Sequence, residues 1–222
     1  MRRVVLVVAK APTPGLVKTR LIGPVDAAGA AALAAAAFSD TLETALAVPD
    51  SRVVVALAGE IGEQAGELTG LLAECRVVRQ SAGTFGDRLC RAHHDAAVPG
   101  GVVLQIGMDT PQLTVGLLEL GLDRTAECGA ALGPATDGGW WSLGLADPRV
   151  AACLPRVAMS RPTTFRDTRR ALLSHRRRPA ILPTLTDVDT WAEVGAVVES
   201  APTGRFAAAV ALAEPTAAGV VA

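Results

Sequence analysis

The segment Val102 to Leu113, VVLQIGMDTPQL, constrains this chain most: an apolar run carries no charge until Asp109, and Thr110 and Pro111 follow at once. Such a run ending in a turn reads as a fully buried parallel strand, covered on both faces. Pro111 cannot donate to a ladder and biases Thr110 towards extended backbone. Asp109 therefore stands at the strand's carboxyl end, where open α/β sheets bind ligands. A carboxylate there suits Mg²⁺ or Mn²⁺ held against a phosphate, because hard cations take oxygen ligands and Mg²⁺ draws only one or two of them from protein. Taken alone, Asp-x-Pro reads better as a strand end or as a cap for the helix suggested by Thr114 to Glu127. The rest of the chain reverses that preference.

Arg2 to Ala9 is a β-branched apolar run and reads as a central strand. It opens into Lys10-Ala-Pro-Thr-Pro14-Gly15-Leu-Val-Lys18-Thr-Arg20-Leu21, a loop stiffened by Pro12 and Pro14 and freed at Gly15. A charged Gly/Pro segment directly after a first strand is suited to wrap a polyphosphate with backbone N–H groups and cationic side chains. Lys18 and Arg20 would neutralise charge developing on a phosphoryl oxygen. Of 21 basic residues only Lys10 and Lys18 are lysines, and both lie in this loop, where a compact ammonium differs from a planar guanidinium. No glycine precedes Lys18 directly, so this is not a Walker loop, and the absence of Gly-x-Gly-x-x-Gly disfavours a dinucleotide dehydrogenase.

Further along, Asp26 is placed to cap an alanine-rich helix running to about Val48. Arg52 to Ala58 reads as a strand, Ile61 to Ala73 as a helix, and Arg76 to Arg79 as a short strand. Gly83 to Gly86 leads into a helix carrying Arg88, and this Gly-rich entry is a candidate ribose or phosphate contact. His93 and His94 read as a solvated turn rather than as ligands. After a strand over Gly129 to Ala135, Asp137 offers a second carboxylate, and Gly138 and Gly139 let backbone pass close to a ligand. Trp140 and Trp141 must face opposite ways on a strand, one into the core and one towards an acceptor pocket. Arg166, Arg169, Arg170, Arg176, Arg177 and Arg178, on or after a helix over Thr163 to His175, read chiefly as a solvated face, with room for an anionic acceptor. Following a strand at Ala180 to Leu182, Asp187 and Asp189 invite two equal readings. Thr190 to Glu193 fits a capping box, and either aspartate suits a second metal ligand beside Asp109.

Composition excludes several partners. With net charge −1, 3% aromatic residues and no tyrosine, the chain lacks the stacking platforms of a nucleic-acid binder. Ala27 to Ser39 is too short and too weakly apolar for a membrane span. Met1 to Arg3 followed by Val4 to Ala9 mimics a signal peptide, but Lys10 breaks the run early, and a cytoplasmic protein is expected. Cys75, Cys90, Cys128 and Cys153 form no Cys-x-x-Cys pair, which argues against zinc. Residues 1–214 are expected to form one domain, with a frayed tail over 215–222.

The order of these features resembles the GT-A fold of nucleotide-dependent transferases: an α/β, three-layer α/β/α architecture around a mostly parallel mixed sheet. More closely, the chain resembles a bacterial family of GT-A-like transferases filed as a domain of unknown function and often labelled glycosyltransferase. The likeness rests on AKAPTPGLVKTRL (Ala9 to Leu21), GTFGDRL (Gly83 to Leu89), IGMDTPQL (Ile106 to Leu113), GPATDGGWWSLGL (Gly133 to Leu145) and DVDT (Asp187 to Thr190). Trp140 stands where such proteins more often carry tyrosine. Molybdopterin and phospholactate guanylyltransferases are similar in pairing a first-loop Lys/Arg signature with an Asp-x-Pro strand end. The resemblance implies nucleotide contacts at Ala9, Lys10, Pro14, Gly15, Lys18, Arg20, Gly86 and Arg88. It further implies Mg²⁺ or Mn²⁺ on Asp109 with Asp187 or Asp189, and an acceptor beside Asp137, Gly138, Gly139 and Trp140. Lys18, Arg20 and Asp109 would carry the catalysis. Nucleotidyl transfer from a nucleoside triphosphate to a small acceptor is the expected reaction. Glycosyl transfer from a nucleoside-diphosphate sugar is the alternative, and a nucleotide-sensing module without turnover is a third reading.

Overall fold

The computed structural model describes residues 1–62 and 66–213. Strands β1 (Arg2–Lys10), β2 (Ser51–Ala58), β3 (Arg76–Arg79), β4 (Gly101–Ile106), β5 (Ala130–Pro134), β6 (Trp140–Leu145) and β7 (Ala180–Ile181) form one seven-stranded sheet, ordered β3-β2-β1-β4-β6-β5-β7. Every neighbouring pair is parallel except those of β6, which runs antiparallel between β4 and β5. The hairpin turn from β5 to β6 is too short for a crossover and forces that reversal. All strands but β6 thus point the same way. The loops after β1, β4, β5 and β7 consequently meet along one edge of the sheet.

Seven helices complete the described chain: α1 (Ala27–Leu46), α2 (Gly66–Ala73), α3 (Phe85–Ala96), α4 (Val115–Cys128), α5 (Thr164–Ser174), α6 (Trp191–Ser200) and α7 (Arg205–Leu212). Alternation along the strands sorts them into layers. Val5, Val7 and Ala9 of β1 and Leu104 and Ile106 of β4 pack with Phe38 and Leu42 of α1 and Leu118 and Leu122 of α4. Val4, Leu6 and Val103 face Ala92 and Ala96 of α3 on the other side. There Leu132, Leu143 and Leu145 also meet Leu89, Leu172 of α5 and a 3-10 segment at Pro148–Arg156. The expected three-layer α/β architecture is therefore the observed one.

Details of the local reading need correction. α3 continues through His93 and His94, so neither lies in a turn. His93 shares the inward face of α3 with Leu89, Ala92 and Ala96 and is fully buried, whereas only His94 is exposed. α2 starts at Gly66, with Ile61 and Gly62 outside the helix and 63–65 outside the described residues. The expected frayed tail also lies outside them. All four cysteines are free, and no described helix is long and apolar enough to cross a membrane.

Candidate functional site

A cleft of about 690 Å³ opens at the carboxyl edge of the sheet. It brings together Ala9, Lys10, Lys18, Arg20, Arg88, Asp109, Asp137, Gly139, Trp140, Asp187 and Asp189, which lie far apart in sequence. Pro14, Gly15, Gly86 and Gly138 are not among its lining residues. Pro14 and Gly15 form the exposed turn that lets the first loop double back, with Gly15 at φ 74°. Gly86 serves packing: a Cβ there would stand 2.5 Å from the carbonyl oxygen of Leu154. Gly138 has φ 86°, and its Cβ would meet the Pro162 carbonyl oxygen at 2.1 Å, so it welds the β5–β6 turn to the 158–165 loop.

Lys18 is the centre of the charged mouth. Its Nζ donates to Asp109 Oδ2 at 2.7 Å and to Asp189 Oδ1 at 3.0 Å. Its side chain is 9% exposed, while Arg20, 3.5 Å from Asp189, is 72% exposed. Lys18 adopts left-handed backbone, φ 47° and ψ 40°, which is uncommon outside glycine and directs the ammonium inward. Burial alone would lower the lysine pKa, but Asp109 and Asp189 outweigh it and hold the ammonium above its ordinary value. Lys18 is charged across the neutral range.

Two strand-end loops supply the acids, and hydrogen bonds zip them together. Val188 N–H donates to the Asp109 carbonyl at 3.1 Å, and Gln112 Nε2 donates to the Thr186 carbonyl at 2.5 Å. Thr110 Oγ1 donates to Asp187 Oδ1 at 3.2 Å. Asp187 is pushed up to about 8, first by burial and then by the charges of Asp109 and Asp137, with Thr110 and Lys18 opposing. Negative charge is in excess here, and one lysine does not satisfy it. The capping reading of the Asp187 segment holds, because Glu193 accepts from the N–H groups of Asp189 and Thr190 at 2.8 and 2.6 Å, and both aspartates line the cleft. Among the described residues no ready cluster of three or more metal-ligating side chains is assembled. Lys18 stands between Asp109 and Asp189, where a cation is wanted.

The other wall is less charged. Lys10 Nζ donates to the Leu16 carbonyl at 2.5 Å and so braces the first loop. Gln80 Nε2 donates to the Ala9 and Ala56 carbonyls at 2.9 Å each, and Arg88 donates back to Gln80 Oε1 at 3.0 Å while lying over the Phe85 ring. Trp141 is buried, and Trp140 lines the cleft with its Nε1 fixed by Thr168 Oγ1 at 3.1 Å. Asp137 Oδ1 accepts from Gly139 N–H at 2.7 Å and shapes its own turn.

Sequence reasoning missed Gln80, Gln105, Met159, Ser160 and Arg161, all of which line the cleft. Gln105 alone left a signal, as a lone amide inside an apolar strand. Ser160 and Arg161 belong to a loop before α5, where Arg161 N–H donates to Thr164 Oγ1 at 3.0 Å and Ser160 has φ 56°. Of the arginine-rich stretch, it is Arg161 that reaches the cleft.

Residues 41–161 match the model of a family described as an uncharacterized protein conserved in bacteria, DUF2064. A comparison with curated proteins found no match. Among solved structures, a protein of Desulfovibrio desulfuricans G20 provisionally named a nucleotide-diphospho-sugar transferase superposes with a TM-score of 0.80. It is 23% identical, over 96% of this chain and 95% of that one. Rv0371c from Mycobacterium tuberculosis H37Rv, solved in complex with manganese, gives 0.52 at 18% identity over 90% of this chain and 100% of the other. CMP:2-keto-3-deoxy-manno-octonic acid synthetase complexed with CTP gives 0.56 at 12% identity, over 91% and 99%. These likenesses establish a shared fold.

Proposed function

The chain belongs to the DUF2064 family, and from the geometry of its cleft we propose that it is a divalent-metal-dependent, nucleotide-using transferase. The reaction we assign is nucleotidyl transfer from a nucleoside triphosphate to a small acceptor bearing a phosphate or hydroxyl. One observation carries the reading: Lys18, from the loop after β1, reaches Asp109 after β4 and Asp189 after β7, forming one charged centre at the sheet's ligand-binding edge. Neighbours of this fold include a protein complexed with CTP and one complexed with manganese, which supports a nucleotide- and metal-using reading.

The donor set fits a hard cation. Asp187, raised to about 8 beside Asp109, is a carboxylate short of positive charge, and oxygen ligands suit Mg²⁺ or Mn²⁺. Asp109 with Asp187 or Asp189 would hold the ion, which when bound supplies charge neutralisation at the phosphates. Lys18 and Arg20 would grip the triphosphate. The ammonium, already buried and charged, needs little reorganisation to meet an anionic oxygen, which makes it effective in the transition state. Asp137 and Trp140 border the space left for the acceptor, whose oxygen attacks the α-phosphorus as pyrophosphate leaves. Positioning and charge neutralisation are the main catalytic means. Glycosyl transfer is the second reading, favoured by the Asp-x-Asp at 187–189 and by the nucleotide-diphospho-sugar transferase neighbour.

Product analysis separates the two: pyrophosphate release from a nucleoside triphosphate supports the first, and nucleoside-diphosphate release from a nucleotide sugar supports the second. A thermal-shift panel of both ligand classes with Mg²⁺ or Mn²⁺ comes first. A ligand at a hundred times its dissociation constant adds about 2.7 kcal/mol of stability. Absence of any shift across the panel would overturn both readings.

A further inference from the structure

β4 is apolar except for Gln105, which is 3% exposed and lines the cleft floor. Its Oε1 is buried without a hydrogen-bond partner. Beneath it on α3, His93 is fully buried with both ring nitrogens unpartnered. Native interiors rarely strand such groups, since each costs stability. The two side chains are neighbours that fall short of hydrogen-bond geometry. Burial drives the His93 pKa down to about 4, and the nearby Gln105 amide opposes this only in part. The imidazole is neutral at pH 7, with one N–H and one lone pair. A ring N–H turned towards Oε1 leaves Nε2, a donor, as the end facing the cleft.

Gly107, just beyond β4 on the same side as Gln105, has no side chain, and the Asp109 carboxylate folds back against it, since a Cβ there would stand 2.7 Å from Asp109 Oδ1. The chain bends at Met108, so the Asp109 carboxylate is turned back towards Gln105. A phosphate beside Asp109 therefore brings the ring joined to it within reach of the Gln105 amide, in the same cleft. The flanking walls are Val8, Met159 and the fixed Trp140. Apolar and aromatic surface around a neutral donor suits the C–H faces and hydroxyls of a sugar better than an anion.

We propose that Gln105 reads the sugar: its Nε2 donates to a hydroxyl of the sugar ring joined to the bound phosphate, and His93 positions the amide from beneath. This rests on the reading of the cleft as a nucleotide site. The hydroxyl belongs either to the ribose of a nucleotide or to the hexose of a nucleotide sugar, and paired ligands separate the two.

The test is calorimetric binding in Mg²⁺ to the parent, Gln105→Met and His93→Leu. The ligands are whichever of ATP, CTP, GTP and UTP binds the parent most tightly, its 2′-deoxy and 3′-deoxy analogues, UDP-glucose paired with each of its monodeoxy-hexose analogues, and tripolyphosphate. In one pair the parent prefers the hydroxyl-bearing member by about tenfold, the weight of one hydrogen bond. Gln105→Met erases that preference, leaves tripolyphosphate binding unchanged and melts no lower than the parent. Loss confined to the triphosphate pairs assigns ribose, and loss confined to the UDP-glucose pairs assigns the hexose. His93→Leu reduces the same preference without altering tripolyphosphate affinity, which a merely structural role would not do. Gln105→Leu gives the same readout should methionine not be accommodated. An unchanged preference in Gln105→Met, or equal weakening of every ligand, overturns the assignment while the nucleotide reading stands. A parent that binds none of the nucleotides overturns that reading and this assignment with it.

Discussion

Two clusters in this molecule combine a buried or half-buried cation with several carboxylates, and they differ in how completely each charge is answered. Arg205, at the start of α7, meets Asp40 at 3.3 Å, Glu43 at 2.6 Å and Glu67 at 2.5 Å. Asp40 also accepts from the N–H groups of Arg205 and Phe206 at 3.0 and 2.8 Å, so a residue of α1 caps α7. Gly204, φ 117°, leaves room for this, because a Cβ there would stand 2.9 Å from Asp40 Oδ2. Every acceptor has a donor, and the Arg205 hydrogen bond holds the Glu67 carboxyl below its ordinary range. Around Lys18 the balance is opposite. The lysine is in left-handed backbone, and Asp187 is raised to about 8 for want of positive charge. The satisfied cluster fastens three helices, α1, α2 and α7, whereas the unsatisfied one lies at the site where we propose that a ligand binds.

Exchanging the cations tests that contrast most directly. Lys18→Met should lower transfer by about 10²- to 10³-fold, the usual weight of a single transition-state donor, with little change in melting temperature. Turnover and thermal melting measured on one preparation decide it. A large loss of stability with activity retained would put Lys18 in the same class as Arg205. The converse variant, Arg205→Met, should leave turnover unchanged but cost about 2 kcal/mol of stability, because it strips Asp40 of an ion pair while the carboxylate remains largely buried. Urea denaturation reads that loss.

The same contrast explains what could be read from sequence. The sheet was legible because its strands are apolar runs whose ends are marked by Lys10, Pro111 and the Asp-Gly-Gly turn, and local chemistry suffices for that. Lys18, Asp109 and Asp189 were legible as cleft residues only in combination, since Asp109 alone reads as a strand end and Asp189 equally as part of a helix start. The Asp40–Arg205 cap was not, since its partners are 165 positions apart and each alone is an ordinary helix residue. His93 was misread because a histidine pair looks polar in sequence, while the face of α3 that it occupies is set by Leu89, Ala92 and Ala96. Gly86 and Gly138 were credited to a ligand because glycine signals close approach without saying to what; here the approaching groups are the backbones of Leu154 and Pro162.

If Lys18 stands where a divalent ion is wanted, removing it should open that place. Mn²⁺ binding without nucleotide, followed by the loss of the free-ion paramagnetic resonance signal, should tighten about tenfold in Lys18→Met, the scale of removing one competing charge-assisted contact. Asp109→Asn should weaken it in both backgrounds. The comparison sharpens if Arg205→Met leaves Mn²⁺ binding unaltered, since Asp40 still accepts from the backbone of α7 and Glu43 and Glu67 are largely exposed to water. Equal Mn²⁺ binding by parent and Lys18→Met would mean that ion and ammonium do not share a place.

The smallest expected effect concerns an unsatisfied group that carries no charge. His93 has its pKa lowered to about 4 by burial, against an ordinary value of 6.5. Above pH 6.5 the ring is neutral both folded and unfolded, so it adds no pH dependence. As pH falls below 6.5 the unfolded chain takes up a proton that the folded chain refuses until about 4, so stability is lost across that window. The limiting slope is about 1.4 kcal/mol per pH unit, and the loss between pH 7 and 5.5 comes to about 1 kcal/mol. Urea midpoints of the parent and His93→Leu at those two pH values measure it, and the leucine variant should lack that component of the decline. A decline of equal size in both proteins would mean that His93 is protonated as readily inside the fold as outside it. The neutral ring required beneath Gln105 would then be lost, and the distinction between answered and unanswered polar groups would hold only for the charged mouth of the cleft.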